Sequence, residues 1–137
     1  MPLEGNEHIP HHQNMTLEET LRVCGRFTEL GVRKIRVTGG EPLVRKGVTG
    51  LMTSLARLPA RPEVLLTTNG LVLAEHLEGL KAGGIRRINL SMDSLKAETW
   101  TEITRRKGFE KVRGAIDAVL EAGLGLKINV VVLPGLN

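Results

Sequence analysis

Four short segments of the chain alternate apolar and polar residues, and between them apolar residues recur at intervals of three and four. Alternation with a period of two marks a half-buried strand, and the longer interval marks one face of a helix. "VRKIRVTGG", "EVLLTTNG", "RRINLSMDS" and "LKINVVVLPG" are accordingly predicted strands. Thr16-Leu17-Glu18-Glu19 has the form of a capping box, after which Leu17, Leu21, Cys24 and Phe27 follow at helical spacing until Gly31 supplies a stop. A second helix from about Gly47 to Leu58 places Leu51, Leu55 and Leu58 on one side, and the turn "LPARP" closes it. A third carries Leu73, Leu77 and Leu80 and ends at Gly83-Gly84. After the third strand come a short polar helix near Ala97 to Thr104, the basic turn "RRKG", and a longer helix through Phe109, Val112, Ile116 and Val119 to Gly123. Strands and helices alternating at repeats of roughly 25 to 40 residues predict right-handed βαβ units and an all-parallel sheet, an α/β fold. Residues 1–15 show no periodicity and read as an arm or loop, while 16–137 read as a single domain without an internal linker.

Splitting each strand by parity gives two unlike faces. One collects Ile35 and Val37, Val64 and Leu66, Ile88, Leu90 and Met92, and Ile128, Val130 and Val132, a surface suited to packing under helices. The other collects Lys34, Arg36 and Thr38, Leu65 and Thr67, Asn89, Ser91 and Asp93, and Lys127 and Asn129. A closed parallel barrel fills its interior with branched apolar side chains, because a buried polar group without a partner costs about 1–3 kcal/mol. A polar interior therefore points to a barrel open enough to admit water and a large polar ligand. The alternative is a solvated face on a half-exposed sheet, which sits poorly with parallel sheets being covered on both sides. The strands also leave through polar, glycine-containing exits: Thr38-Gly39-Gly40-Glu41-Pro42, Thr67-Thr68-Asn69-Gly70, Ser91-Met92-Asp93-Ser94 and Leu133-Pro134-Gly135. Ligands of parallel sheets lie at the carboxyl ends of the strands, so these exits mark one expected site. Glu41 is expected at its rim, with a carboxylate available to a cation such as an ammonium group.

Composition narrows the classes. At 137 residues the chain is shorter than the roughly 250 of a complete parallel barrel. Hydrophobic content of 41% with 25% charge is that of a soluble globular protein, and no apolar run reaches the length of a membrane span. The N-terminal residues have neither a basic leader nor an apolar core of a signal peptide, so a cytoplasmic protein is expected and Asn14-Met15-Thr16 is an idle glycosylation triplet. A net charge of +4 is compatible with an anionic small molecule, whereas two Phe, one Trp and no Tyr leave few rings on which nucleic acid bases could stack. The single cysteine, Cys24, excludes an internal disulfide and a cysteine-only metal site, and its place on the packing side of the first helix reads as core. His8, His11 and His12 read as exposed histidines of the arm, Arg105 to Lys107 as a solvated turn. No GxxxxGK[ST] or GxGxxG element occurs, which leaves P-loop and dinucleotide-type phosphate sites unsupported.

"TGGEPLVR", "LTTNG", "INLSMDSL", "ITRRKGF" and "KINVVVLPGLN", in this order and spacing, closely resemble the radical S-adenosylmethionine family of molybdenum cofactor biosynthesis, the protein A or GTP 3',8-cyclase family of lyases. The resemblance covers essentially the whole chain. It implies a partial (β/α) barrel of the radical SAM type, with about four parallel strands and flanking helices in these residues. It also implies that the GGEP segment holds the methionyl ammonium of S-adenosylmethionine. By position, Gly40 and Ser91 match the family's S-adenosylmethionine contacts, and Arg36, Thr67 and Lys127 match its contacts to GTP. Glu41 and Asn129 are added to the S-adenosylmethionine group from their placement on the exits and the polar face. Arg36 and Lys127 suit triphosphate oxygens, since fixed cations in a sheltered cleft pair strongly with phosphate.

In the family a reduced [4Fe-4S] cluster, held by a Cys-x3-Cys-x2-Cys loop, cleaves S-adenosylmethionine, and the resulting radical abstracts hydrogen from the ribose of GTP. The resemblance places Met1-Pro2 directly after that loop, so the cluster ligands, the first barrel strand and the C-terminal region with the second cluster are expected outside this chain. No metal ligands are assigned within it. Two functional classes follow: part of a radical enzyme, inactive alone, and a cluster-free nucleotide-binding module derived from the same barrel. The first carries a further expectation, that exposed parallel edges drive self-association or capture of a complementing polypeptide.

Overall fold

The computed structural model describes residues 14–137; His8, His11 and His12, and the arm apart from Asn14 and Met15, lie outside the described residues. In chain order the elements are α1 (Leu17–Glu29), β1 (Lys34–Val37), a 3-10 turn (Pro42–Val44), α2 (Val48–Ala56), β2 (Glu63–Thr68), α3 (Leu73–Ala82), β3 (Arg87–Ser91), α4 (Ala97–Thr104), α5 (Phe109–Glu121) and β4 (Gly125–Asn129). The capping box forms as its sequence predicts. Glu19 N donates to Thr16 Oγ1 at 3.1 Å and Thr16 N donates back to Glu19 Oε2 at 2.8 Å. That backbone bond holds the Glu19 carboxyl below its ordinary range.

The four strands form one sheet in the order β1-β2-β3-β4, and every pair is parallel. Register fixes which side chains share a face. Ile35 pairs with Val64, Val37 with Leu66, and Leu66 with Ile88, and these point toward the helices with Leu51, Met52, Leu55, Leu77, Leu80, Val112 and Val119 in the core. The opposite face carries Lys34 beside Glu63, Arg36 beside Leu65, the row Thr67–Asn89–Lys127, and Ser91 beside Asn129. The helices pack on the apolar face, and the polar face is the one opposite.

Three expectations need correction. Phe27 was expected on the packing stripe of α1 but is 52% exposed. Thr28 takes the buried position, because a four-residue step from Cys24 keeps the stripe in line, and its hydroxyl is satisfied by donating to Gly25 O at 2.7 Å. Val130 and Val132 do not lie under helices: β4 ends at Asn129, and Val130, Val131 and Val132 are exposed. As the last strand of the sheet, β4 has no neighbour on its outer side to bury them. The polar face is also not uniformly wet, since Leu65 and Asn89 are 3% and 1% exposed while Arg36, Ser91 and Lys127 are open to solvent.

Candidate functional site

The strand exits are tied together by Glu41. Its Oε1 accepts from Leu43 N at 3.1 Å and from Thr68 Oγ1 at 2.8 Å, and its Oε2 accepts from Asn69 N at 2.7 Å. The expected free carboxylate is therefore not there: three of roughly four lone-pair directions are occupied, and the side chain pins the end of β1 to the end of β2. Thr68 passes the order on, its Oγ1 accepting from Gly70 N at 3.1 Å, and Asn69 Oδ1 accepts from Leu71 N at 3.0 Å. Gly70 sits at φ 84, and a Cβ there would come within 2.5 Å of Leu90 Cδ1, so the exit of β2 is closed tightly onto β3. The sequence showed the acid at the exit but gave no local signal of a partner 27 positions away.

Gly40 and Ser91 come together. Both line a cavity of about 310 Å³ at the exits of β1, β2 and β3, with Asn69, Asp93, Trp100 and Arg106 among the other walls. A Cβ built on Gly40 would meet no atom within 4 Å, so the space beside this backbone is open. This room, with Gly40, Asn69, Ser91 and Asp93 on its sheet side, has the size and polar lining to take the end of a small polar ligand. Asp93 shapes the same rim: its Oδ1 accepts from Val131 N at 2.9 Å, and Asn137 Nδ2 donates to both Asp93 O at 2.6 Å and Val131 O at 2.9 Å. Asn137 thus folds the segment after β4 back onto the exit of β3, a role without a periodic signature.

Below the exits, Thr67, Asn89 and Lys127 form one row across β2, β3 and β4. Thr67 Oγ1 and Asn89 Nδ2 are buried and have no hydrogen-bond partner. Two neighbouring orphans on one face are a cost of about 1–3 kcal/mol each, the kind of cost that persists at functional sites. Asn89 was placed on the polar face by parity but not singled out; its burial comes from the central position of β3, which parity does not report. Ser91 and Asn129 lie side by side one step closer to the exits. Arg36 lies on β1, at the sheet margin, and also borders a groove of about 260 Å³ between α1 and the open edge of that strand.

At the other end of the strands two cations share one carboxylate. Lys34 Nζ is 3.0 Å from Glu63 Oε2, and Arg87 reaches Glu63 Oε1 at 4.0 Å. The hydrogen bond from Lys34 holds the Glu63 carboxyl below its ordinary range. Arg36 and Lys127 have no ion-pair partner among the described residues.

An iron–sulfur cluster does not fit these residues. Cys24 is the single cysteine, burial pushes its thiol up and so disfavours the thiolate that iron requires, and no group of three or more His, Cys, Asp or Glu among the described residues is placed to hold a metal ion. No described helix is long and apolar enough to cross a membrane.

Comparison with known proteins gives a consistent picture. Residues 5–137 match the family described as "Radical SAM superfamily". A protein of Peptoclostridium acidaminophilum named GTP 3',8-cyclase is 46% identical over 138 residues, covering 100% of this chain and 42% of its own length. GTP 3',8-cyclase 2 of Pseudomonas aeruginosa is 45% identical over 98% of the chain and 41% of its own length. Molybdenum cofactor biosynthesis protein 1 of Drosophila melanogaster is 42% identical over 100% of the chain and 24% of its own length. The chain spans less than half the length of these relatives.

Proposed function

The chain belongs to the radical SAM superfamily, and from this premise we propose that it forms the central strands of a GTP 3',8-cyclase acting in the first step of molybdenum cofactor biosynthesis, in the cytoplasm. In this reading S-adenosylmethionine occupies the cavity at Gly40 and Ser91, with Asn129 beside Ser91, and when bound it supplies a carbon–sulfur bond open to one-electron cleavage. GTP is the substrate and lies along the concave face. Thr67 offers a hydroxyl, and Arg36 and Lys127 offer the two unpaired cations that triphosphate oxygens attract. Glu41 holds the β1 and β2 exits in register around the cofactor and keeps one acceptor direction for its ammonium group.

One observation carries the reading: the buried, unpartnered Thr67 Oγ1 lies in the same row as Lys127 and on the same face as Arg36 and Ser91. A sheet face built only for packing has no reason to gather these groups. Titration calorimetry of GTP into the full-length protein tests it. Arg36→Ala is expected to weaken binding by about 2–5 kcal/mol, as for a charged partner removed from a phosphate, and Lys127→Ala to do the same. Unchanged affinity in both variants would overturn the assignment of the triphosphate to this face.

The two margins of the sheet support a second element of the proposal, association through β edges. β1 and β4 have no outer neighbour among the described residues, and exposed Val130, Val131 and Val132 follow β4 directly. Unpaired parallel edges beside apolar side chains favour a partner strand, from another copy or a complementing polypeptide. Sedimentation of the isolated 137-residue chain is expected to show self-association; a monomer at all concentrations would refute it.

A further inference from the structure

The foot of the sheet, at the opposite end of the strands from the exits, holds a cavity of about 390 Å³. It opens where α2 ends, where the turn leads into β2, and where the chain passes from α3 into β3. Arg57, Arg61, Arg86 and Arg87 line it, and Glu63 is the single acid among its walls. That carboxylate is already engaged, by Lys34 Nζ at 3.0 Å and by Arg87 Nη1 at 4.0 Å. Arg57, Arg61 and Arg86 have no ion-pair partner among the described residues. Helix ends do not balance them. α2 and α3 both finish at this level, and the carboxyl end of a helix carries about half a negative charge. The two ends and one carboxylate leave about two of the four guanidinium charges unanswered.

The backbone at Arg61 points the same way. Its φ of 48 makes it one of two residues other than glycine with a positive φ among the described residues, and Pro62 behind it narrows its choices further. Glycine would hold this turn without strain. The turn is nonetheless fixed, with Arg61 N donating to Leu58 O at 2.8 Å and Pro62 buried. A strained position kept for a long cationic side chain on a cavity wall indicates use of that side chain. On a convex surface like charges splay apart into water, whereas around a cavity they converge and repel until an anion enters. We propose that this cavity is a second anion site, which takes a compact ligand with two adjacent phosphate groups between Arg57, Arg61 and Arg86. Guanidinium forks present paired N–H donors to phosphate oxygens, and the excess charge calls for a ligand with two or more negative charges. The volume falls within the range of about 300–1,000 Å³ found for small-molecule sites. The site is independent of the reading given to the exits and the polar face.

The test uses full-length protein carrying Arg36→Ala and Lys127→Ala, so that those two cations contribute no phosphate binding. Titration calorimetry with inorganic pyrophosphate is expected to show one site, preferred over orthophosphate by about tenfold or more. Adding Arg61→Gly, which relieves the backbone, is expected to weaken pyrophosphate about tenfold without lowering the melting temperature, and adding Arg86→Ala to weaken it comparably. Adenosine diphosphate in the same titrations separates a free anion from the end of a nucleotide. Affinity no greater than that of pyrophosphate assigns the site to the diphosphate alone; tighter binding that Arg61→Gly weakens assigns it to a nucleotide. Equal affinity for orthophosphate and pyrophosphate overturns the proposal, because the arginines then supply only a diffuse positive field. Pyrophosphate binding that neither Arg61→Gly nor Arg86→Ala alters overturns it as well, as does the absence of binding.

Discussion

The carboxylate of Glu41 accepts a 2.8 Å hydrogen bond from the hydroxyl of Thr68, and so joins the ends of two parallel strands that are already neighbours in the sheet. The contact is made where the backbone has left its ladder, beside a second bond across the same two exits, from Asn69 N to the other oxygen of Glu41 at 2.7 Å. Replacing Glu41 by Ala leaves the Thr68 hydroxyl and the Asn69 amide without their acceptor, both in a part-buried setting. A loss of about 1–3 kcal/mol is expected, read from urea or thermal unfolding. Thr68→Val alone and the double variant complete a cycle, and strict additivity would show that the two side chains do not act together.

Gly40→Ala separates ligand contact from folding. The added methyl meets no atom of the protein within 4 Å, so the melting temperature is expected to stay within about 1–2 °C of the wild type. Binding of S-adenosylhomocysteine is expected to weaken by about tenfold or more, because the methyl occupies cavity space beside the backbone. A stable variant with unaltered affinity would place the ligand elsewhere.

Gly70→Ala should do the reverse. At φ 84, with Leu90 Cδ1 in the way of a Cβ at 2.5 Å, both backbone and packing oppose a side chain, and about 1–3 kcal/mol of stability is expected to be lost. Equilibrium unfolding measures this. A neutral substitution would mean that the β2 exit shifts freely.

Glu63 predicts a pH dependence at the entry end of the strands. Its carboxyl is held below the ordinary range by the hydrogen bond from Lys34. Such a group stabilises the fold above its unfolded pKa of about 4.3 and loses that contribution as pH falls through the lower folded value. Glu63→Gln is therefore expected to be less stable than the wild type near neutrality, with the difference closing as the pH is lowered through the carboxylate range. A difference in melting temperature that does not vary with pH would show that the carboxylate charge plays no part.

Period and parity carried much of this architecture. The alternation of "KIRV", "EVLLTT", "RINLS" and "LKIN" is enough to put Arg36, Thr67, Asn89, Ser91 and Lys127 on one face, and the register bears that grouping out. The short helix from Ala97 to Thr104 was legible because its flanks break the pattern on both sides. What parity does not carry is depth across the sheet. Asn89 and Lys127 share a row, yet one is enclosed by strands on either side and the other stands on the margin. For the same reason Val130, Val131 and Val132, which read as one more apolar run, emerge beyond the last strand. Contacts between distant positions were also hidden: Glu41 with Thr68 and Asn69, Asp93 with Val131, and Arg106 at the wall of the exit cavity all depend on the order of strands rather than on spacing.

Because Glu63 is shared between Lys34 and Arg87, one carboxylate laces the feet of three neighbouring strands at a single point. Loss of that acid leaves two like charges facing each other across β2, so the knot that closes the lower end of the sheet is only as durable as its one negative member.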